Sequence, residues 1–231
     1  MTSESKSIVC LISGRGSNLE AILRPSFAAP AATQGMPSEA RSAKEGPIRV
    51  AAVISNRADA RGLEIARAHG VPALALPHGS FASRQVFEAA LAEAIDLHRP
   101  ALIVLAGFMR VLTPAFVARY RGRLLNIHPS LLPAFPGLDT HRRALAAGVR
   151  LHGATVHFVG DQLDAGPIVA QAAVPVWPGD SEQALAARVL EQEHLLLPRC
   201  IGWILEGRVR LDGERVVSEG IAPQELLVFA R

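Results

Sequence analysis

Residues Ser7 to Leu23 read Ser-Ile-Val-Cys-Leu-Ile-Ser-Gly-Arg-Gly-Ser-Asn-Leu-Glu-Ala-Ile-Leu, and this stretch decides the fold. Ser7 to Ser13 is a short apolar run that stops at Gly14, the pattern of a buried strand. Gly14 to Asn18 is a turn, and Leu19 to Leu23 starts a helix. Ser17 stands three residues before Glu20, the spacing of a capping box, so the helix is expected to begin at this loop.

The alternation continues outward. A strand is expected at Arg49–Ser55, a helix at Ala58–His69 and a short strand at Ala73–Leu76. Phe81–His98 is an amphipathic helix with Val86, Ala90, Leu91 and Ile95 on one face, followed by strands at Ala101–Ala106 and Leu124–Ile127. This βαβαβαβ order predicts an α/β fold with a mostly parallel, doubly wound, twisted sheet and helices on both faces, Rossmann-like in its N-terminal half. Gly153–Val159 and Ile168–Val176 read as two late strands joined by a Gly/Asp turn. A closing helix spans Ser181 to Glu206 and is expected to bend or break at Pro198. The division is a single domain over residues 1–208 and a tail over 209–231 that forms a short hairpin. The stretch 24–46, rich in Pro, Ala, Ser and Gly and without a period, reads as an inserted loop.

The chain has 231 residues, 49% of them hydrophobic and 19% charged, a balance that suits one globular domain with a small appendage. No apolar run reaches the ~18–20 residues of a membrane span, and polar Met1–Lys6 leads straight into a strand rather than a signal sequence. Cys10 and Cys200 sit in apolar stretches without CxxC spacing. These features point to the cytoplasm and to no membrane partner. Net charge is only +3, the arginines are scattered and 5% of residues are aromatic, which argues against nucleic acid and leaves an anionic small molecule as the natural partner.

Three places carry chemistry. Gly14-Arg15-Gly16-Ser17-Asn18 aims backbone N–H groups and a helix start at one point, an anion site. The dinucleotide fingerprint fails there, because Leu19 takes the third glycine position and the second strand ends in Ser55-Asn56-Arg57 without an acid. A phosphomonoester fits better; a plain glycine turn is the other reading. Asn126-Ile127-His128-Pro129-Ser130 follows a central strand, so Asn126 and His128 leave one strand face at its carboxyl end, where open α/β sheets bind ligands. There a histidine can carry a proton and an asparagine amide can donate to an oxyanion, unless His128 merely braces a proline-rich loop. Asp161-Gln162-Leu163-Asp164-Ala165-Gly166-Pro167 is an acidic turn, able to orient His128 or to serve as an Asx turn. The sequence has no GxSxG elbow and no HExxH or close metal spacing, so no metal is expected. His141, His152 and His157 could cluster, with neutral structural roles expected for each.

Together these segments resemble the phosphoribosylglycinamide formyltransferase family, the folate-dependent transformylases of purine synthesis. The likeness rests on Ile12–Leu19, Val53–Arg57, Leu105-Ala106-Gly107-Phe108-Met109-Arg110, Leu125–Pro133, Pro136-Gly137-Leu138, His152–Phe158 and Leu163–Ile168. The Asn-x-His-Pro-Ser and Leu-Asp-x-Gly-Pro motifs are common to formyltetrahydrofolate enzymes, and Ser-Gly-x-Gly-Ser-Asn points to this branch. The resemblance implies the formyltransferase fold and transfer of the formyl group of 10-formyltetrahydrofolate to the amine of phosphoribosylglycinamide, by a monomer or weak homodimer. It implies that Gly16, Ser17, Asn18 and Glu193 bind the phosphoribosyl substrate. Arg84, Met109, Arg110, Val111 and Leu112 would form the folate side with Asn126, Gly160, Asp161, Gln162, Leu163 and Asp164. Asn126, His128 and Asp164 would be the catalytic trio. The family often has His after Pro-Gly-Leu, where this chain has Asp139. A tRNA formyltransferase would need a further C-terminal domain, and about 23 residues follow Arg208. A formate-releasing hydrolase would carry an N-terminal regulatory domain, and a non-catalytic phosphosugar-binding module would make the trio incidental.

Overall fold

In the computed structural model, which describes residues 6–24 and 48–229, every residue of strand β1 (Ser7–Ile12) is buried. Successive side chains leave a strand on opposite faces, and β1 obeys this closely. Ile8, Cys10 and Ile12 enter one apolar cluster, with residues of helices α1 (Ser17–Leu23), α2 (Arg61–Ala68) and α6 (Glu182–Leu205). Val9 and Leu11 enter the other, against Phe87, Leu91 and Ile95 of α3 (Arg84–Asp96) and Phe116 and Val117 of α4 (Pro114–Arg119). The continuous apolar run is therefore a central strand with a helix layer on each side. Truncating one such side chain, Leu11→Ala for example, removes about 2–5 kcal/mol.

The remaining strands are β2 (Arg49–Ser55), β3 (Ala73–Ala75), β4 (Leu102–Leu105), β5 (Leu124–His128), β6 (Leu151–Phe158), β7 (Ile168–Pro175), β8 (Val209–Asp212), β9 (Arg215–Ser218) and β10 (Leu227–Phe229). The main sheet has eight strands in the order β10-β7-β6-β5-β4-β1-β2-β3. From β3 to β5 all neighbours are parallel, β6 runs antiparallel to both β5 and β7, and β10 is parallel to β7. The expected mostly parallel, twice-wound sheet is present. Its strand order reverses between β1 and β4, so the crevice lies at their carboxyl ends.

Several local expectations are corrected. Ser17 is not the cap of α1: Gly16 takes that place at φ 79°, with no side-chain cap, and Glu20 turns to Arg24 at 3.7 Å instead. The reason is packing, since a Cβ on Gly16 would come within 2.6 Å of the Gly62 Cα. Helix α2 starts at Arg61 rather than Ala58, because Arg57 folds back on Asp59 in the preceding turn. Helix α3 starts at Arg84, where the Ser83 hydroxyl accepts from Val86 N at 3.2 Å. Helix α6 runs unbroken through Pro198, which is buried. Two helices within residues 1–208 lie outside the sequence expectations, α4 and α5 (Thr140–Ala146), although Thr113-Pro114 is a helix-start signal: Thr113 caps α4 and Pro114 opens it. The tail does contain the hairpin β8–β9, and beyond it a short helix, α7 (Pro223–Leu226), leads to β10 at the sheet edge. The stretch read as an inserted loop falls, from residue 25 to 46, outside the described residues.

Candidate active site

Three adjacent parallel strands deliver the site. β1 ends in the glycine loop, β4 in Gly107–Leu112 and β5 in Asn126 and His128. In the glycine loop the left-handed Gly16 turns the chain into α1, and Gly62 N donates to Gly14 O at 3.1 Å, seating the loop on the start of α2. Asn18 is buried, and its Nδ2 donates to Glu193 Oε2 at 2.7 Å, joining α1 to α6. Burial raises the Glu193 carboxyl above its ordinary range, and the Asn18 bond partly offsets this. Among the described residues Asn18 Oδ1, which is buried, has no hydrogen-bond partner, leaving it as an acceptor for a ligand. The Asn18–Glu193 bond thus brings Gly16, Ser17, Asn18 and Glu193 together at one end of the candidate site.

The other end is assembled around His128, which is 6% exposed. Its Nε2 lies 3.0 Å from the carbonyl oxygen of Phe135 and must donate to it, since a carbonyl only accepts. Its Nδ1 faces Asp164 Oδ2 at 3.4 Å. The same Oδ2 accepts from Gly137 N at 2.8 Å. Phe135 and Asp164 both adopt left-handed backbone, φ 56° and 51°, conformations that cost about 1–3 kcal/mol each in a residue with a side chain. Two strained residues meeting at one histidine mark a place where geometry is held for a purpose.

Behind the trio stands a residue that sequence reading placed with the wrong neighbours. His157 pairs with Asn126 across β5–β6. Its Nδ1 donates to Phe158 O at 3.0 Å, so its Nε2 carries the lone pair and accepts from Asn126 Nδ2 at 3.1 Å. Burial holds His157 below the usual histidine range, in keeping with this neutral tautomer. Asn126 is thereby fixed with its amide nitrogen in a known direction and one N–H to spare. His141 and His152 pair with each other at 3.2 Å, and burial pushes His152 down to about 4. The expected neutral roles fit all of these histidines, but His157 stands apart from the other two.

A cleft beside the trio is lined by Leu105, Phe108, Arg110, Val111, Leu112, Asn126, His157 and the Gly160–Asp164 loop. Most residues expected on the folate side are therefore brought together. Arg84 and Met109 are not among the lining residues; Arg84 stands exposed at the start of α3, and Met109 is 71% exposed. Asp139, at φ 58°, pairs with Arg142 on the surface. Among the described residues no three His, Cys, Asp or Glu side chains gather as a metal-ligand set, and no helix is long and apolar enough to cross a membrane.

The profile of the formyl transferase family matches residues 6–201. Phosphoribosylglycinamide formyltransferase of Escherichia coli (strain K12) is 48% identical over 227 residues, covering 94% of this chain and 99% of its own. The solved phosphoribosylglycinamide formyltransferase of Coxiella burnetii superposes with a TM-score of 0.83 at 43% identity, covering 99% of this chain and 100% of that one. A formyltetrahydrofolate deformylase from Pseudomonas syringae shares the fold at a TM-score of 0.79, with 28% identity over 94% of this chain and 67% of its own. The glycine loop, the Asn126–His128–Asp164 centre and these likenesses lead to one statement: the chain belongs to the formyl transferase family, in its phosphoribosylglycinamide formyltransferase branch.

Proposed function

We propose that Asn126, His128 and Asp164 perform, in this chain, the glycinamide ribonucleotide transformylation of purine biosynthesis that its family carries out. The formyl donor is a folate, which we take to be 10-formyltetrahydrofolate. The observation that carries this reading is the convergence of His128 and Asp164 at 3.4 Å beside the cleft. The phosphoribosylglycinamide phosphate sits on Gly16, Ser17 and Asn18. Asn18 Oδ1 and Glu193 receive its ribose hydroxyls, which supplies the partner that Oδ1 lacks. Arg110, Val111, Leu112 and the Gly160–Asp164 loop hold the folate, with Arg84 and Met109 at the outer lip.

The glycinamide amine attacks the formyl carbon, forming a C–N bond and a tetrahedral intermediate with an oxyanion. Because His128 Nε2 is committed to Phe135 O, its Nδ1 is the nitrogen that turns to the reacting atoms. A proton there, together with the spare N–H of Asn126, stabilises the oxyanion, each well-placed donor supplying about 3–4 kcal/mol. Asp164 lies against the same Nδ1, stabilises the imidazolium and relays the proton from the attacking amine to the departing folate nitrogen, directly or through a water. Collapse breaks the bond to that nitrogen and yields formylglycinamide ribonucleotide and tetrahydrofolate. No step calls for a metal.

We read residues 1–208 as the formyltransferase domain and 209–231 as a tail that returns to the sheet edge through β10. We take it as a cytoplasmic enzyme acting as a monomer or weak homodimer; the composition argues against nucleic acid and membrane partners. The test is to mix the protein with 10-formyltetrahydrofolate, with and without phosphoribosylglycinamide, and to follow tetrahydrofolate. Release that depends on the amine is the expected result. Release without it would make the protein a hydrolase, the activity named for the Pseudomonas syringae relative. No release in either mixture would remove the catalytic reading.

A further inference from the structure

Ser13 stands between β1 and the glycine loop, yet its hydroxyl is engaged elsewhere. It donates to Asn56 Oδ1 at 2.5 Å, just beyond β2, and accepts from Met109 N at 2.8 Å, just beyond β4. Ser13 N also donates to Gly107 O at 3.1 Å. Both side chains are buried, Ser13 at 5% and Asn56 at 4% exposure. The polarity of this chain has one solution. A backbone N–H can only donate, so the Ser13 oxygen must accept from Met109, which leaves its single proton for Asn56. The far end of the same segment is held by buried Glu88 of α3, whose Oε1 accepts from Thr113 N at 2.9 Å and whose Oε2 accepts from the Thr113 hydroxyl. Residues 109–112 are thus strung between two buried anchors, and the first anchor is the residue that precedes Gly14.

We infer that Ser13, oriented by Asn56, is a positioning residue that couples the phosphate loop to the folate-side segment, so that the two substrate sites are set as one unit. The inference rests on the substrate assignment proposed above. Neither Ser13 nor Asn56 touches the reacting atoms. A displacement of the glycine loop reaches Met109 through one hydroxyl, and the reverse holds equally. Losing that hydroxyl takes the acceptor from the Met109 N–H and leaves the buried Asn56 Oδ1 without its donor, so both are driven to new positions.

The test compares kcat and both KM values in the wild type, Ser13→Ala, Ser13→Thr, Asn56→Leu and Ser17→Ala, after thermal melts have shown each variant folded. Ser13→Ala is expected to raise both KM values about three- to tenfold with kcat within about twofold. Ser13→Thr keeps the hydroxyl and restores both. Asn56→Leu repeats the Ser13→Ala pattern, and carries the test alone if Ser13→Ala does not fold. Combining Ser13→Ala with Asn56→Leu adds little to either single substitution, as expected of groups acting in one chain. Ser17→Ala, inside the phosphate loop, raises only the KM for phosphoribosylglycinamide. Unchanged KM values in Ser13→Ala, a change in only one of them, or a fall in kcat alone would overturn the coupling. An unchanged phosphoribosylglycinamide KM in Ser17→Ala would instead remove the substrate assignment, whatever Ser13→Ala does.

Discussion

The glycine loop draws its features from neighbouring residues, Gly14 to Asn18, whereas the proposed catalytic centre joins β5, the segment leading to Gly137 and the loop after β6. In the first, backbone conformation is the device: Gly16 is left-handed and touches Gly62 where no side chain would fit. In the second, side chains act, each held from another part of the chain: His128 by Phe135 O, Asp164 by Gly137 N and Asn126 by the His157 ring. A local device tolerates change elsewhere but no change within itself. An assembled one tolerates conservative change at its supports and fails when a reacting group is lost.

That contrast can be broken most sharply at the trio. His128→Ala or Asp164→Asn should lower kcat by about 10²–10⁴-fold while the melting curve stays close to the wild type. Near-normal turnover of either purified variant would show that the assembled centre is not where chemistry occurs. At the glycine loop the opposite signature is expected. Gly16→Ala forces a Cβ to within 2.6 Å of the Gly62 Cα at a left-handed residue, so stability should fall by about 2–3 kcal/mol and the KM for phosphoribosylglycinamide should rise. Urea titration and steady-state kinetics would measure both, and an unaltered Gly16→Ala protein would mean that the loop is an ordinary turn.

Acid separates the two regions further. Burial holds His152 at about 4, against 6.5 for a free histidine, so on acidification the unfolded chain takes up the proton first. Stability is therefore untouched by this group above about pH 6.5 and declines between that value and about 4, by on the order of 3 kcal/mol in total. His141 and His157 are lowered as well and act in the same direction, while the raised Glu193 acts against them. Urea melts of His152→Gln against the wild type across this window isolate the effect, and parallel curves would count against it. The smallest change is expected at Asp139, whose pairing with Arg142 is exposed. Asp139→Asn keeps a residue that tolerates left-handed backbone, so stability should shift by under about 0.5 kcal/mol and kcat should not move. A large fall in turnover would put Asp139 back among the groups that support the trio.

The same contrast explains how much could be read before the structure. β1, its glycine turn and the start of α1 were legible because apolar run, turn and helix follow one another within a few residues. Even so, Ser17 was misread as a cap, because the contact that decides the matter, Gly16 on Gly62, lies outside the local pattern. Asn126 and His128 were legible as a pair on one strand face. Their partner Asp164 could be proposed as an acidic turn but not positioned, since its reach depends on β6 reversing direction. The acceptor for His128 is the carbonyl of Phe135, and a backbone group leaves no mark in a sequence. His157 had a signal that went unused: once β6 is taken as antiparallel to β5, cross-strand register sets it opposite Asn126. Helices α4 and α5 were missed because short helices carry little period, and β10 because three residues cannot show alternation.

The Asn18–Glu193 hydrogen bond spans 175 positions of sequence. At roughly 5–20 residues per second of synthesis, the N-terminal partner is made some 9–35 s before its carboxylate exists. Throughout that interval β1 and the glycine loop can form, yet Asn18 has no Glu193 to receive its amide. The nascent chain therefore cannot hold the proposed phosphoribosyl ligand through this pair until α6 has emerged and packed, and a ligand that needs both residues can assist only the last step of folding.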